Sequence, residues 1–278
     1  LPADISAKVL ALMRETAEAE LLPRFGRLEK SEIREKTPGD LVTVADVAAE
    51  KRLTAGLKRI LPGVVVVGEE AVAADPRLIK SIASEHRAWI VDPLDGTSNF
   101  AGGRPRFAII VALAEKGRTI GGWIYDPLGK RTAAATLGGS SWLNGEKIRF
   151  PADVPLSEMA GYVGYKFKRQ FLEKANPERL KLVKGMSSLF CAGLEYIEML
   201  AGNSHFNLYR FVKPWDHAAG ALMVEEAGGH AAHFNGDDYR ATVHQGGLLA
   251  ATDPAAWHEL HRLFLAEQLP LLDMTADK

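Results

Sequence analysis

Three acidic motifs in this sequence could do chemistry together. Residues 89–100 read Trp-Ile-Val-Asp92-Pro-Leu-Asp95-Gly96-Thr97-Ser-Asn-Phe100. A buried β-run ending in Asp92 would deliver a carboxylate to a sheet edge, where open α/β folds place ligands. Pro93 stiffens the exit, and Asp95 follows at a spacing that lets both carboxylates converge on hard cations. Gly96 leaves room for close backbone approach. Thr97 is expected to open a helix, whose free N–H groups and positive dipole end suit a phosphate. The second motif, Gly68-Glu69-Glu70, directly follows the β-branched run Val64–Val67, so Glu69 also leaves a strand end. The third, Trp215-Asp216-His-Ala-Ala-Gly220, opens a helix of small residues.

Each motif alone has a plainer reading. The first could be an Asp-Pro turn followed by an Asp-Gly turn, the second a solvated loop, and the third a helix-capping aspartate. Together they differ from that, because all three sit at a strand end or helix start amid apolar runs where charge is costly. Ligands that are all oxygen, with no His or Cys companion, indicate Mg²⁺ or Mn²⁺ rather than zinc.

The surrounding pattern supplies elements to position them. The first ~35 residues read as helical, with Ile5, Val9, Leu12 or Met13, and Ala17 near one face, and Pro23 is expected to kink or divide the segment. Lys36–Asp40 reads as a loop. Thr43, with Asp46 three residues on, resembles a helix start. The helix it opens, to about Leu61, is expected to bury Val47, Leu53, Leu57 and Ile60. Asp75-Pro76 starts a further helix to about Ser84. Phe107–Ala114, Thr119–Tyr125 and Arg131–Thr136 look like an antiparallel meander, followed by a hairpin at Trp142–Gly145. Trp123 and Trp142 are expected to pack within it.

From about residue 150 helix and strand alternate: a strand at Ala160–Tyr165, helices near Pro177–Val183 and Ala192–Leu200, and a strand at Phe206–Phe211. A helix at Trp215–Ala227, a strand at Gly247–Thr252 and a last helix capped by Asp253-Pro254 complete the chain. The expectation is an α/β protein with an α+β half at 1–150, carrying the main acidic motifs, and an α/β half at 151–278 supplying Asp216.

The 278 residues carry 34 Lys plus Arg against 35 Asp plus Glu, a formal net charge of −1. So even a balance gives no electrostatic footprint for nucleic acid or an acidic membrane. Cys191 is the single cysteine, which excludes an internal disulfide and suits a reducing compartment. No apolar run is long enough to span a bilayer. Leu1–Leu12 carries Asp4 and Lys8 and does not read as a signal peptide, and the start at Leu1 suggests trimming. A cytoplasmic location is expected.

The set GEE, WIVDPLDGTSNF and WDHAAG, in that order and at these separations, resembles the inositol monophosphatase family. The resemblance extends to Lys36, Asp40-Leu-Val-Thr43 and Asp46, and so over most of the chain. It implies a layered αβαβα sandwich of the sugar-phosphatase type, a homodimer, and lithium sensitivity. By the same resemblance, Glu69, Asp92 and the Leu94 carbonyl would hold one Mg²⁺, and Asp92, Asp95 and Asp216 a second. A third, weaker Mg²⁺ would lie near Glu69. Asp95 would also border the substrate, the Gly96 and Thr97 amides would bind phosphate oxygens, and Asp46 would hydrogen-bond the Thr97 hydroxyl. Either Glu69 or the Thr97–Asp46 pair would accept a proton from the attacking water.

The leaving-group side departs from the family pattern. Where a Gly-Ser-Ala-like turn is expected the chain has Phe190-Cys191-Ala192, and Tyr209 stands where a glutamate would contact inositol hydroxyls. Ala192 fits; the others do not. A tyrosine offers a stacking face and one hydroxyl, so broader selectivity is expected. The favoured substrate is inositol 1-phosphate or a related polyol phosphate. Fructose 1,6-bisphosphate, histidinol phosphate and a nucleotide 3′-phosphate are alternatives, and a regulatory binding protein on the same fold is the rival class. His230/His233 and His258/His261 read as surface pairs, and Cys191 as a small packing residue.

Overall fold

Hydrophobic stripes on helices and β-branched runs on strands combine here into two sheets separated by helices. The computed structural model describes residues 3–164, 167–168 and 178–266. Helix α1 (Ala3–Thr16) buries Ile5, Val9, Leu12 and Met13 on one face, as its spacing requires. It continues through one π-helical turn, Ala17–Leu21. There the expected helix of ~35 residues stops short, because Pro23 and the left-handed Gly26 break it. Ile33–Thr37 (β1) and Asp40–Thr43 (β2) instead form a hairpin, so the expected loop at Lys36–Asp40 supplies its turn and both strand ends.

Helix α2 (Val44–Ile60) begins with the expected capping pair. Thr43 Oγ1 accepts from the Ala45 amide, and Asp46 accepts from the Thr43 amide at 2.8 Å. Its buried face runs Ala45, Ala49, Leu53, Leu57 and also carries Asp46 and Glu50. Val47, expected inside, falls off that stripe and is 46% exposed.

The first sheet contains β3 (Val65–Gly68), β4 (Arg87–Asp95), β5 (Ala108–Glu115), β6 (Arg118–Asp126), β7 (Arg131–Thr136), β8 (Ser140–Leu143) and β9 (Glu146–Ile148), in that spatial order. Three short helices decorate it: α3 (Glu69–Ala74), α4 (Ser81–Ser84) and α5 (Thr97–Ala101). The helix expected from Asp75 is a 3₁₀ turn, Pro76–Lys80, leading into α4. Only β3 and β4 run parallel; the meander from β4 onward is antiparallel. Parallel pairing makes Glu69 and Asp92 leave the same sheet edge. Trp123 is buried as expected, whereas Trp142 is 43% exposed on the outward face of β8 near the sheet's end.

The second sheet has the order β11-β10-β12-β14-β13, if β10 is Ala160–Val163, β11 Gly185–Ser187, β12 Phe206–Tyr209, β13 His230–His233 and β14 Leu248–Ala251. Its helices are α6 (Ala192–Leu200), α7 (Pro214–Glu226) and α8 (Pro254–Phe264). The expected helix near Pro177–Val183 reduces to a 3₁₀ turn at Arg179–Leu182, with Pro177 outside the described residues, as is Tyr165. His233 is not a surface residue: β13 carries it inside, where Nδ1 meets the Gly247 carbonyl at 3.1 Å.

The layers are α1 and α2, the seven-stranded sheet, α6 and α7, the five-stranded sheet, and α8; one apolar core surrounds the middle helices and one lies under each outer helix layer. This is the αβαβα sandwich. The middle helices come from the second half of the chain yet pack on the first sheet. Gly122 permits that contact, since a Cβ there would sit 2.7 Å from the Ala219 Cα.

Candidate active site

The end of β4 is irregular. Its pairing with β5 is regular to Asp92 opposite Ile110, then shifts register before Asp95 opposite Ala108. A bulge of this kind re-aims side chains at a sheet edge. Asp92 turns back on the bulge, its Oδ1 accepting from the Leu94 amide at 2.9 Å. Gly96 follows with φ 87°, and a Cβ there would lie 2.8 Å from the Arg106 carbonyl, so glycine is required twice over. The chain then enters α5 at Thr97.

Asp95 is gripped from the other half of the protein. Its Oδ2 accepts from the Gly193 amide at 2.6 Å and from Cys191 Sγ at 3.1 Å, at the first turn of α6. Cys191 is thus the buried packing residue expected of it, with one polar contact besides. Asp216, in the first turn of α7, joins the same cluster, where the charges of Asp95 and Glu69 bear on it. Burial, and then repulsion from Glu69, Asp95 and Asp216, drives Asp92 well above the usual carboxylate range. Asp216 is raised likewise, and burial lifts Asp95 to about 6.

Behind these lies Asp46, as expected from the sequence. Its Oδ1 stands 2.9 Å from the Thr97 hydroxyl, which is equally close to the Leu94 carbonyl. One hydroxyl proton serves only one of those acceptors at a time, leaving the oxygen's lone pairs free toward the cleft. Burial raises Asp46 to about 6 against the hydrogen bonds from Thr43 and Thr97.

Glu69 joins from the start of α3. It accepts from Lys36 Nζ at 2.7 Å, and Lys36 also reaches Glu70 at 3.0 Å. Burial is the largest single influence and would depress that lysine, but the charges and hydrogen bonds of Glu69 and Glu70 together outweigh it and hold Lys36 well above its usual value. Glu50 was missed in the sequence. It accepts from the Glu70 and Ala71 amides at 2.8 Å each and so fixes the start of α3. Its signal was the spacing from Asp46, which puts both acids on one face of α2 a turn apart.

Glu69, Asp92, Asp95 and Asp216 are thus brought to one rim with Asp46 and Thr97. Among the described residues no three His, Cys, Asp or Glu side chains stand closed up on a metal position. Asp95 is turned to Gly193 and Glu69 to Lys36. The chemistry of the donors nevertheless fits a hard dication. Buried carboxylates that repel one another would have that repulsion replaced by attraction, and their oxygens are the ligands Mg²⁺ takes.

Ala192 and Tyr209, the two residues expected to border the leaving group, lie at the start of α6 and at the end of β12. Ala192 opens α6 beside Asp95. Tyr209 is buried, and its hydroxyl donates to Glu195 Oε2 at 2.9 Å. Glu195, also missed, accepts from the Leu189 amide and the Ser188 hydroxyl as well. From the opposite side Asn99 Nδ2 donates to the carbonyls of Arg106, Leu189 and Phe190. The 188–191 turn is therefore clamped between Asn99 and Glu195, with Phe190 at a left-handed φ of 54° and 54% exposed.

A five-layered sandwich with an acidic rim where both sheets meet the middle helices is the architecture of a phosphomonoesterase. The chain matches the model of the inositol monophosphatase family over residues 5–269 and belongs to that family. It is 31% identical to the fructose-1,6-bisphosphatase/inositol-1-monophosphatase of Thermotoga maritima, over 80% of this chain and 82% of that protein. It is equally 31% identical to the Nus factor SuhB of Pseudomonas aeruginosa, over 82% and 85%. The crystal structure of the extragenic suppressor protein suhB from Bartonella henselae superposes with a TM-score of 0.82 at 25% identity, covering 95% of this chain and 99% of that one.

Proposed function

We propose that this phosphatase is Mg²⁺-dependent and hydrolyses a small phosphomonoester, with inositol 1-phosphate or a related polyol phosphate as its preferred substrate. The observation that carries this reading is the set of buried, mutually repelling carboxylates Asp92, Asp95 and Asp216 beside the left-handed Gly96. Glu69, Asp92 and the Leu94 carbonyl would hold one ion, and Asp92, Asp95 and Asp216 another. Bound there, Mg²⁺ would acidify a water and neutralise charge on the phosphate. The Gly96 and Thr97 amides would hold phosphate oxygens. The Thr97 hydroxyl, tied to Asp46, would orient the attacking water and pass on its proton. Ala192 and Tyr209 would border the leaving group, with Tyr209 held in place by its hydrogen bond to Glu195.

The dual name of the Thermotoga maritima relative supports fructose 1,6-bisphosphate as the second substrate to test. Phosphate release from a panel of phosphomonoesters, with Mg²⁺ and with EDTA, tests the proposal. Release unaffected by EDTA would sink the metal assignment. Mg²⁺-dependent binding with no turnover on any substrate would favour a regulatory role, which the Nus-factor relative makes the competing reading.

A further inference from the structure

A second concave site lies at the other end of α7 from Asp216. It is a cavity of about 610 Å³, the size of a pocket for a small organic ligand. Asp216 opens α7 and Glu225 stands in its last turn, so the helical rise separates the two sites by about 13 Å.

Four cations line it: Arg118 from the start of β6, Lys147 from β9, Arg149 just beyond, and Arg240. Among the described residues none of the four has an ion-pair partner. The acids that share the wall are differently placed. Glu225 is taken by His230 at 3.0 Å and by the Ala231 amide, and Glu226 by the Gly138 amide. The last carbonyls of α7 are likewise occupied, by the amides of Ala227, Gly228 and Gly229. Glu225 and Asp238 are the lining acids that stay exposed.

Unpaired guanidinium groups are suited to forked bonds with phosphate or carboxylate oxygens, and the four cations outnumber the three acids, Glu225, Glu226 and Asp238, on the same walls. We propose that this cavity binds a small polyanion, of the phosphorylated-metabolite class, at a site separate from the acidic rim. A concave pocket of this size suits a small ligand better than a nucleic-acid strand, which would need an extended basic track.

The probe is inorganic triphosphate, titrated calorimetrically into the whole protein with EDTA present, where the carboxylate rim repels it. Salt is kept at about 0.15 M, so that loose surface attraction is screened beyond about 8 Å. Saturable binding of one equivalent is expected, and the double variant Arg149→Ala/Arg240→Ala should weaken it by at least about tenfold. Both side chains are exposed, so the fold should survive; Lys147→Glu gives an independent reading at the same wall. A wild type that shows no saturable binding overturns the proposal, as does undiminished binding in both variants. A short RNA that binds where triphosphate does not, and is lost in the same variants, overturns it in favour of a nucleic-acid surface.

Discussion

The Tyr209 phenol donates a 2.9 Å hydrogen bond to Glu195 Oε2, joining β12 to α6 beside the acidic rim. Burial raises Glu195 to about 7, against the hydrogen bonds that hold it. Tyr209→Phe removes one of its three donors and should cost about 1–2 kcal/mol of stability. Tyr209→Glu would set a second carboxyl against Glu195 and should cost more, about 3 kcal/mol or above. Urea denaturation of both variants checks this. Equal midpoints for wild type and Tyr209→Phe would mean the pair contributes nothing.

Asp95→Asn should lower kcat by at least about a thousandfold, because it removes a carboxylate proposed to hold Mg²⁺ near the leaving oxygen. The amide oxygen can still accept from Gly193, so the melting temperature should stay close to wild type. A purified variant that keeps more than about a tenth of wild-type kcat contradicts the assignment.

Thr97→Ala tests the water-positioning role separately. It removes the hydroxyl shared between Asp46 and the Leu94 carbonyl and leaves every proposed Mg²⁺ ligand in place. A loss of about a hundredfold in kcat is expected, with most of it restored in Thr97→Ser. If serine fails to rescue, the hydroxyl is not what matters at this position.

His217 sets a pH dependence of stability. It is buried between the Phe211 carbonyl and the Tyr196 hydroxyl, and burial lowers it from 6.5 to about 4. The unfolded chain therefore takes up a proton before the folded one as pH falls. The contribution is full above about pH 6.5 and is lost on acidification toward pH 4, some ~3 kcal/mol in all and about 2 by pH 5. His217→Gln should flatten the fall in urea midpoint between pH 7 and pH 5 by about that amount. An identical slope in the variant would rule out His217 as its source.

Much of this protein was legible in its sequence where the determining interactions are local. Thr43 and Asp46 lie three residues apart and cap α2 as their types require. The β-branched run before Glu69 and the apolar run before Asp92 make strands whose ends carry acids, and the small residues after Asp216 make a helix that can lie close against β6. Tertiary structure decided what depends on residues far apart in the chain. The Gly193 amide caps Asp95 from 98 residues away, and Lys36 meets Glu69 across 33. Tyr209 meets Glu195 across 14 residues, and the four cations near the end of α7, without an ion-pair partner among the described residues, come from three separate segments. No local pattern encodes such contacts, because they exist only once the two sheets have stacked on the helices between them.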